Sequence, residues 1–458
     1  MTADRPAVRI IGAGPTGALL AILLQRRGHA RVELYESRSD PRGAIAESGR
    51  SINLALADRG IHALQMAGVF QDLEAALLPM RGRLIHDVEG GTSLQPYGQR
   101  PNELIYSISR HRLNQSLLEM AARRPGVTLH FEHRFETAEF DQGVALIRDL
   151  RHDRLIRVPM QPLLATDGAG SWMRRRMSSL HMIDAHEIDL EHGYKELSIP
   201  ADAAGRHRMD RGALHIWPRG NYMLIALPNE DGSFTATLFL AKHGELSFES
   251  LTEPAAIDRF LSQSFPDARA LMPNCIAEFN DHPVGFLGTV SASPWHHGGT
   301  AALIGDSAHA IVPFHGQGMN CCFEDCVEFD ACLGRYSSWD RVFAEFGALR
   351  KPNTDAIAAM ALDNYLEMRE RVADLKFQLQ QALSLELERR FPQRFIPRYS
   401  MVMFHHEIPY RTALERGAVQ AQLLAELTAG AVSSVADVDF ARAEQEIRAR
   451  LAPLSEPV

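Results

Sequence analysis

The sequence predicts an α/β protein with an antiparallel sheet inserted into it and a helical C-terminus. Three observations carry that prediction: a strand–helix–strand unit at the start, closely spaced strands with Gly- and Asn-rich turns in the middle, and helical periodicity towards the end. The 458 residues allow two or three domains at roughly 150 residues each. Apolar residues make up 45% and charged residues 23%, which excludes a disordered chain, a collagen-like repeat and a small disulfide scaffold. The formal net charge, 48 − 57 = −9, lacks the overall basic field of a nucleic-acid binder.

Val8-Arg9-Ile10-Ile11 reads as a short buried strand, residues 17–27 as an Ala/Leu-rich helix and Val32-Glu33-Leu34-Tyr35 as a second strand. Such a βαβ unit implies a parallel sheet. From Leu214 the pattern changes to three strands, Leu214-His215-Ile216-Trp217, Tyr222 to Leu227 and Phe234 to Leu240. The turns between them, Pro218-Arg219-Gly220-Asn221 and Asn229-Glu230-Asp231-Gly232-Ser233, are too short for crossovers, so this part is an antiparallel meander. Another βα unit begins at residues 301–304, and long helical patterns follow it.

Gly12-Ala13-Gly14-Pro15-Thr16-Gly17 is a G-x-G-x-x-G between the first strand and the first helix. Gly12 and Gly14 permit a tight turn and close approach to a pyrophosphate, and Gly17 lets the helix pack on the strand. The helix N-terminus supplies free N–H groups and partial positive charge. Glu36 ends the second strand, 19 residues after Gly17, where a carboxylate can accept ribose hydroxyls. The unit therefore predicts dinucleotide binding. Further along, Leu303-Ile304-Gly305-Asp306-Ser307-Ala308-His309 is an apolar strand running into Gly-Asp, where Asp306 can accept from a ribityl hydroxyl. The following Pro313-Phe314-His315-Gly316-Gln317-Gly318-Met319-Asn320 leads into a helix, with backbone N–H groups placed for a flavin ring edge. A simple dehydrogenase has no need of this second site, so the dinucleotide is FAD.

Together the Gly12–Gly17 fingerprint, Asp167-Gly168 and Gly305-Asp306 resemble the single-component, class A FAD-dependent aromatic hydroxylases. The resemblance implies a p-hydroxybenzoate hydroxylase-like fold: a Rossmann-type FAD-binding domain, an inserted antiparallel substrate domain and a C-terminal helical cap. In that family the middle Asp-Gly serves both FAD and NADPH; here Thr166 precedes it where a small residue is expected. Arg110 resembles a flavin-contacting Arg near the pyrophosphate.

Within the family the kynurenine-hydroxylating branch is the most similar. Its segments resemble Ser48-Gly49-Arg50-Ser51-Ile52-Asn53-Leu54-Ala55-Leu56, Met80-Arg81-Gly82-Arg83, Leu94-Gln95-Pro96-Tyr97-Gly98 and His192-Gly193-Tyr194-Lys195-Glu196-Leu197, with residues 214–228, 313–320, 360–368 and 394–400. These blocks span most of residues 8–410. Eukaryotic members carry a hydrophobic C-terminal membrane anchor, whereas residues 411–458 here are polar, so the likeness is to the soluble bacterial form.

The resemblance implies hydroxylation of L-kynurenine to 3-hydroxykynurenine with FAD bound, NADPH as transient reductant and O₂ as co-substrate, through a flavin C4a-hydroperoxide. No acid–base residue is assigned. Arg83 and Tyr97 are expected to hold the substrate carboxylate, with Asn364 and Tyr399 completing the polar end. An Arg fork suits a carboxylate through two parallel charge-assisted hydrogen bonds, and Arg81 competes for the same role. Ile105, Leu214, Met223, Ile225, Phe239, Phe314 and Met368 are expected around the ring, with His315 beside the flavin loop. The cofactor residues are Gly12, Gly14, Gly17, Glu36, Arg110, Asp167, Gly168, Asp306, Gly318, Met319 and Asn320.

The expected domains are a discontinuous FAD-binding domain (1–75, 102–176 and 286–365), a substrate domain (76–101 and 177–285) and a cap (366–458). Four of the five Cys crowd residues 321–332 without a C-x-x-C pair, which predicts reduced thiols packed near a helix and no metal site. His296-His297 and His405-His406 lack metal-ligand spacing. With no signal-peptide pattern and no apolar run of 18 residues, the expectation is a cytoplasmic protein, monomer or homodimer, with no membrane or nucleic-acid partner. A hydroxylase of another anthranilate- or phenol-like ring and a non-catalytic redox sensor are the rival readings. A flavin halogenase is disfavoured because no two of Trp172, Trp217, Trp295 and Trp339 form W-x-W.

Overall fold

The computed structural model describes residues 7–29, 31–43, 53–368 and 374–454. Residues 48–52 of the Ser48–Leu56 motif lie outside them. The chain forms two compact units, one of Met1–Leu77, Ile108–Leu190 and Leu287–Ala358, the other of Leu78–Ser107, Glu191–Phe286 and Ala359–Val458.

The first unit is built on a six-stranded sheet in the order His296–His297, Ala301–Leu303, Leu163–Ala165, Val8–Ile11, Val32–Glu36, Val127–Phe131. All pairings are parallel except the edge made by His296–His297. Helix Pro15–Arg26 is buried continuously from Gly17 to Leu24, because it lies between the sheet and helices Arg110–Ala122 and Gly318–Arg335. A helix covered on every side is apolar all round. Cys321, Cys322, Cys326 and Cys332 all sit on Gly318–Arg335 as buried free thiols, as the sequence predicts.

The second unit is organised by a sheet ordered His192–Ile199, Phe234–Ala241, Met223–Pro228, Leu214–Pro218, Gly82–His86, Thr92–Pro96. The predicted meander forms its centre, and Leu214–Pro218 is joined in parallel by Gly82–His86. One face packs Leu197, Trp217, Leu224, Ala236 and Leu238 against helices Pro254–Ser264 and Cys275–Asp281. Lys195 lies buried at the end of the second helix and donates to the carbonyls of Phe279 and His282. The C-terminal helices Leu375–Arg390, Tyr410–Leu427 and Phe440–Arg450 enclose a separate core around Leu387, Leu423 and Ile447. No helix among the described residues is long and apolar enough to cross a membrane.

On the helix-covered face, His86 Nδ1 lies 2.8 Å from Asp267, His86 Nε2 lies 2.9 Å from His215 Nδ1, and His215 Nε2 lies 2.8 Å from the Asp210 carbonyl. Trp217 Nε1 donates to Asp267 as well. Burial holds His215 down to about 4. Burial opposes the charge on Asp267, but its bonds from His86 and Trp217 hold it down to about 2. In both cases the unfolded chain binds the proton first, so stability is lost as pH falls: from about 6.5 to 4 for His215, then from about 4 to 2 for Asp267. The His215 contribution is of order 3 kcal/mol. The melting temperature is expected to fall between pH 7 and 4 in the wild type and to fall less over that range in His215→Asn.

Candidate active site

In the first unit the glycine fingerprint is shaped by contacts that only a missing side chain allows. Gly12 has φ +97°, and a Cβ there would lie 2.5 Å from the Thr166 carbonyl oxygen; one at Gly17 would lie 2.1 Å from the Gly12 oxygen. A Cβ at Gly14 would meet nothing within 4 Å. Two glycines are thus needed for internal packing, and the third faces open space at the start of helix Pro15–Arg26, which has no side-chain cap. Uncapped N–H groups beside a glycine fit a pyrophosphate. Thr166, the departure from a small residue, donates its hydroxyl to the Gly12 carbonyl at 2.8 Å and so ties the Asp167-Gly168 loop to the fingerprint.

Glu36 accepts the N–H of Ala13 at 3.1 Å and both the backbone and the guanidinium of Arg38 at 3.0 Å. Burial pushes its pKa up, but these bonds outweigh it and leave the carboxyl below its ordinary range. It is therefore an ionised acceptor, partly engaged by an Arg38 side chain that is itself largely exposed. Asp167 Oδ2 accepts from the N–H groups of Trp172 and Met173. Its other oxygen is buried with no hydrogen-bond partner among the described residues, and burial raises the pKa of the group. An orphaned carboxylate oxygen next to Gly168, at φ +80°, fits a ligand donor.

Asp306 opens the short helix Asp306–His309 and takes the Cys322 thiol at 3.4 Å. Phe314 and His315 are buried in the turn Pro313–His315, and Gly318 and Met319 begin helix Gly318–Arg335. Asn320 engages its side chain with backbone at the loop itself. Its oxygen accepts from Ala57 N–H at 2.9 Å, and its amide donates to the carbonyls of Ala55 and Gly316 at 2.8 Å. Its side chain is therefore spent on bracing the loop. Arg110 is an exposed residue at the start of its helix.

In the second unit the pairing register collects the substrate candidates. Arg83 pairs with Leu214, Ile216 with Ile225, and Met223 with Phe239. Directly paired residues share a face, and residues two apart along a strand do too. Arg83, Leu214, Met223, Ile225 and Phe239 therefore lie on one face, opposite the helix-covered core. Ile105 is buried on Ile105–Ser109, opposite Met80.

Arg83 is buried, its guanidinium carbon 4.8 Å from the centre of the Tyr399 ring and its Nη1 3.7 Å from Glu367. Tyr97 stacks on Tyr399 at 5.9 Å. Burial disfavours the Arg83 charge, but Tyr399, Glu367 and Tyr97 outweigh that and hold the guanidinium firmly protonated. The same burial pushes both phenols up, so they are neutral donors. Arg83 Nε is buried with no hydrogen-bond partner among the described residues. Arg81, by contrast, is exposed and pairs with Asp210 at 2.5 Å, which separates the two arginines that the motif leaves equivalent. Asn364 is buried near the end of helix Trp339–Leu366 and donates to the Met368 sulfur at 3.3 Å. Glu367 is absent from the sequence-derived set, although it follows Asn364 by three residues, the spacing of neighbours on a helix.

A family model described as FAD binding domain matches residues 5–334. Kynurenine 3-monooxygenase of Stenotrophomonas maltophilia (strain K279a) is 49% identical over 445 residues, 97% of this chain and 97% of that protein. The chain belongs to the kynurenine 3-monooxygenase family. The kynurenine 3-monooxygenase of Myxococcus xanthus (strain DK1622) is 44% identical over 451 residues, 98% of this chain and 97% of that one. The solved tetrameric form of 2-methyl-3-hydroxypyridine-5-carboxylic acid oxygenase shares the fold, with a TM-score of 0.64 at 18% identity over 84% of this chain and 98% of that one. As a member of the kynurenine 3-monooxygenase family the protein is an FAD-dependent aromatic monooxygenase.

Proposed function

We propose that the protein hydroxylates L-kynurenine on the ring carbon ortho to the amine, giving 3-hydroxykynurenine, with NADPH as reductant and O₂ as co-substrate. The observation that carries this reading is the Arg83–Glu367 pair, with Arg83 over the Tyr399 ring that Tyr97 stacks on, at a sheet face that also carries Leu214, Met223, Ile225 and Phe239. A zwitterionic amino acid with an aromatic ring needs a cation, an anion and an apolar wall. Arg83 takes the carboxylate, with Tyr97 and Tyr399 as neutral donors, and Glu367 takes the α-ammonium. Leu214, Met223, Ile225 and Phe239 supply the wall.

The fingerprint, Glu36, Asp167 and Asp306 would hold FAD, which when bound would supply acceptance of the NADPH hydride and activation of O₂. The ring amine itself donates electron density to the carbon that is hydroxylated, so no strong base is needed. The remaining task of the protein is to orient the ring and keep water from the reacting atoms. Purified yellow protein is expected to oxidise NADPH rapidly when L-kynurenine is added and to release the 3-hydroxy product. NADPH use that ignores kynurenine and yields no hydroxylated product would sink the proposal.

Glu367→Gln removes the counter-charge for the α-ammonium while preserving shape. It is expected to raise KM for kynurenine roughly 10- to 50-fold, the size of a lost charge-assisted bond. A des-amino substrate analogue is expected to bind wild type and variant alike, which steady-state kinetics with both compounds measures. The smaller assembly expected from the sequence, monomer or homodimer, is read by light scattering.

A further inference from the structure

Asp325 is fully buried on helix Gly318–Arg335 and belongs to no recognised motif. Its Oδ2 accepts the backbone N–H of Gly305 at 3.2 Å and lies 2.5 Å from His309 Nε2. Its Oδ1 accepts Nε of Arg350 at 2.7 Å. Arg350 also reaches Glu324 at 2.6 Å, and Glu324 pairs with the buried Arg59. Two carboxylates and two guanidiniums thus balance inside the first unit. Burying such charges costs several kcal/mol per ion, and replacing buried ion pairs by well-packed apolar residues is often neutral for stability. Their use lies in fixing something in place.

The bond to Gly305 shows what that is. Gly305 sits at φ +68° and ψ −143°, a conformation open in practice only to glycine. A Cβ there would lie 3.1 Å from both Thr16 of the fingerprint segment and the Cys322 sulfur. The next residue is Asp306. His309, Cys321 and Asp325 also place ligand atoms within 4.8 Å of one another, but the Arg350 guanidinium already supplies the positive charge a metal ion would bring.

We propose that Asp325 is a positioning residue for the flavin: by gripping the Gly305 N–H it pre-sets the backbone that presents Asp306 to the cofactor. The proposal rests on FAD being the ligand of that segment. The test titrates FAD into full-length apoprotein of the wild type, Asp325→Asn and His309→Gln, following flavin fluorescence and the visible spectrum, with apoprotein melting recorded alongside. Asn offers one acceptor where the carboxylate offers two, so D325N is expected to bind FAD roughly 10- to 100-fold more weakly. Its bound flavin spectrum is expected to move towards that of free FAD. Gln at 309 keeps an N–H for Asp325, so H309Q is expected within about 3-fold of wild type.

Equal losses in both variants, or wild-type affinity in D325N, would overturn the proposal. If D325N does not fold, hydrogen exchange of residues 303–309 in wild-type apoprotein decides. Slow exchange before FAD is added supports a pre-set segment, and fast exchange that slows only with FAD overturns it. A wild type that fails to bind FAD at all indicts the cofactor reading instead, which keeps the two failures apart.

Discussion

Arg83→Ala is expected to raise the dissociation constant for L-kynurenine by roughly 100- to 1,000-fold while leaving the FAD content of the purified protein unchanged. Truncating one partner of a buried, hydrogen-bonded charge pair costs about 3–4 kcal/mol, and each 1.4 kcal/mol is tenfold. Two effects add here. The carboxylate loses its guanidinium, and Glu367, 3.7 Å from Arg83, loses its counter-charge and repels the incoming anion. Equilibrium binding by flavin absorbance change measures the first quantity and the absorbance ratio of the purified protein the second. A parallel fall in both would make Arg83 a folding residue. Arg83→Lys keeps the charge but not the fork, and is expected to recover only part of the affinity. Arg81→Ala, which breaks an exposed pair with Asp210, is expected to change kynurenine binding little.

Gly17→Ala and Gly14→Ala are expected to fail in different ways. A methyl group at residue 17 falls 2.1 Å from the Gly12 carbonyl and 2.6 Å from the Thr166 hydroxyl, so the first helix must retreat from the strand. The expected result is colourless protein, FAD binding weakened beyond about 100-fold, and an apoprotein melting point lowered by several degrees. At residue 14 the methyl group meets nothing in the apoprotein, so melting should be unchanged. It occupies the approach to the uncapped helix N-terminus, and FAD affinity alone should drop. Calorimetry of the apoproteins with FAD titration separates the two; equal melting losses would contradict the division of labour between the glycines.

What was legible in the sequence was local. The fingerprint, the strand ending at Glu36 and the meander from Leu214 are each written within a few tens of residues, where periodicity and turn chemistry are sufficient. Arg81 and Arg83 could not be separated because the deciding partner, Asp210, lies far along the chain and reaches Arg81 only once Gly82–His86 joins the central sheet. Glu367 was hidden for a similar reason, since its meaning depends on Arg83. The bracing role of the Asn320 side chain was hidden in the same way, because Ala55 and Ala57 come to it from the other end of the chain. The Asp325 cluster joins Arg59, Gly305 and Arg350, and no short-range pattern connects them.

The order of strands in the first unit also sets a timetable for the chain during synthesis. Val8–Ile11 is made almost at once, yet its neighbour Leu163–Ala165 and the next strand, Ala301–Leu303, follow much later. Asp325 and Arg350 arrive later still. Until Leu163–Ala165 is made, the buried strand Val8–Ile11 has an unpaired edge, the kind of surface on which nascent chains aggregate or recruit chaperones. The second unit is in the same position, since Tyr399 and Glu367 join Arg83 only near the end. Neither half can be excised as a continuous fragment and expected to fold, and shortening the chain from its C-terminus past Tyr399 would remove a partner of Arg83 together with part of a core.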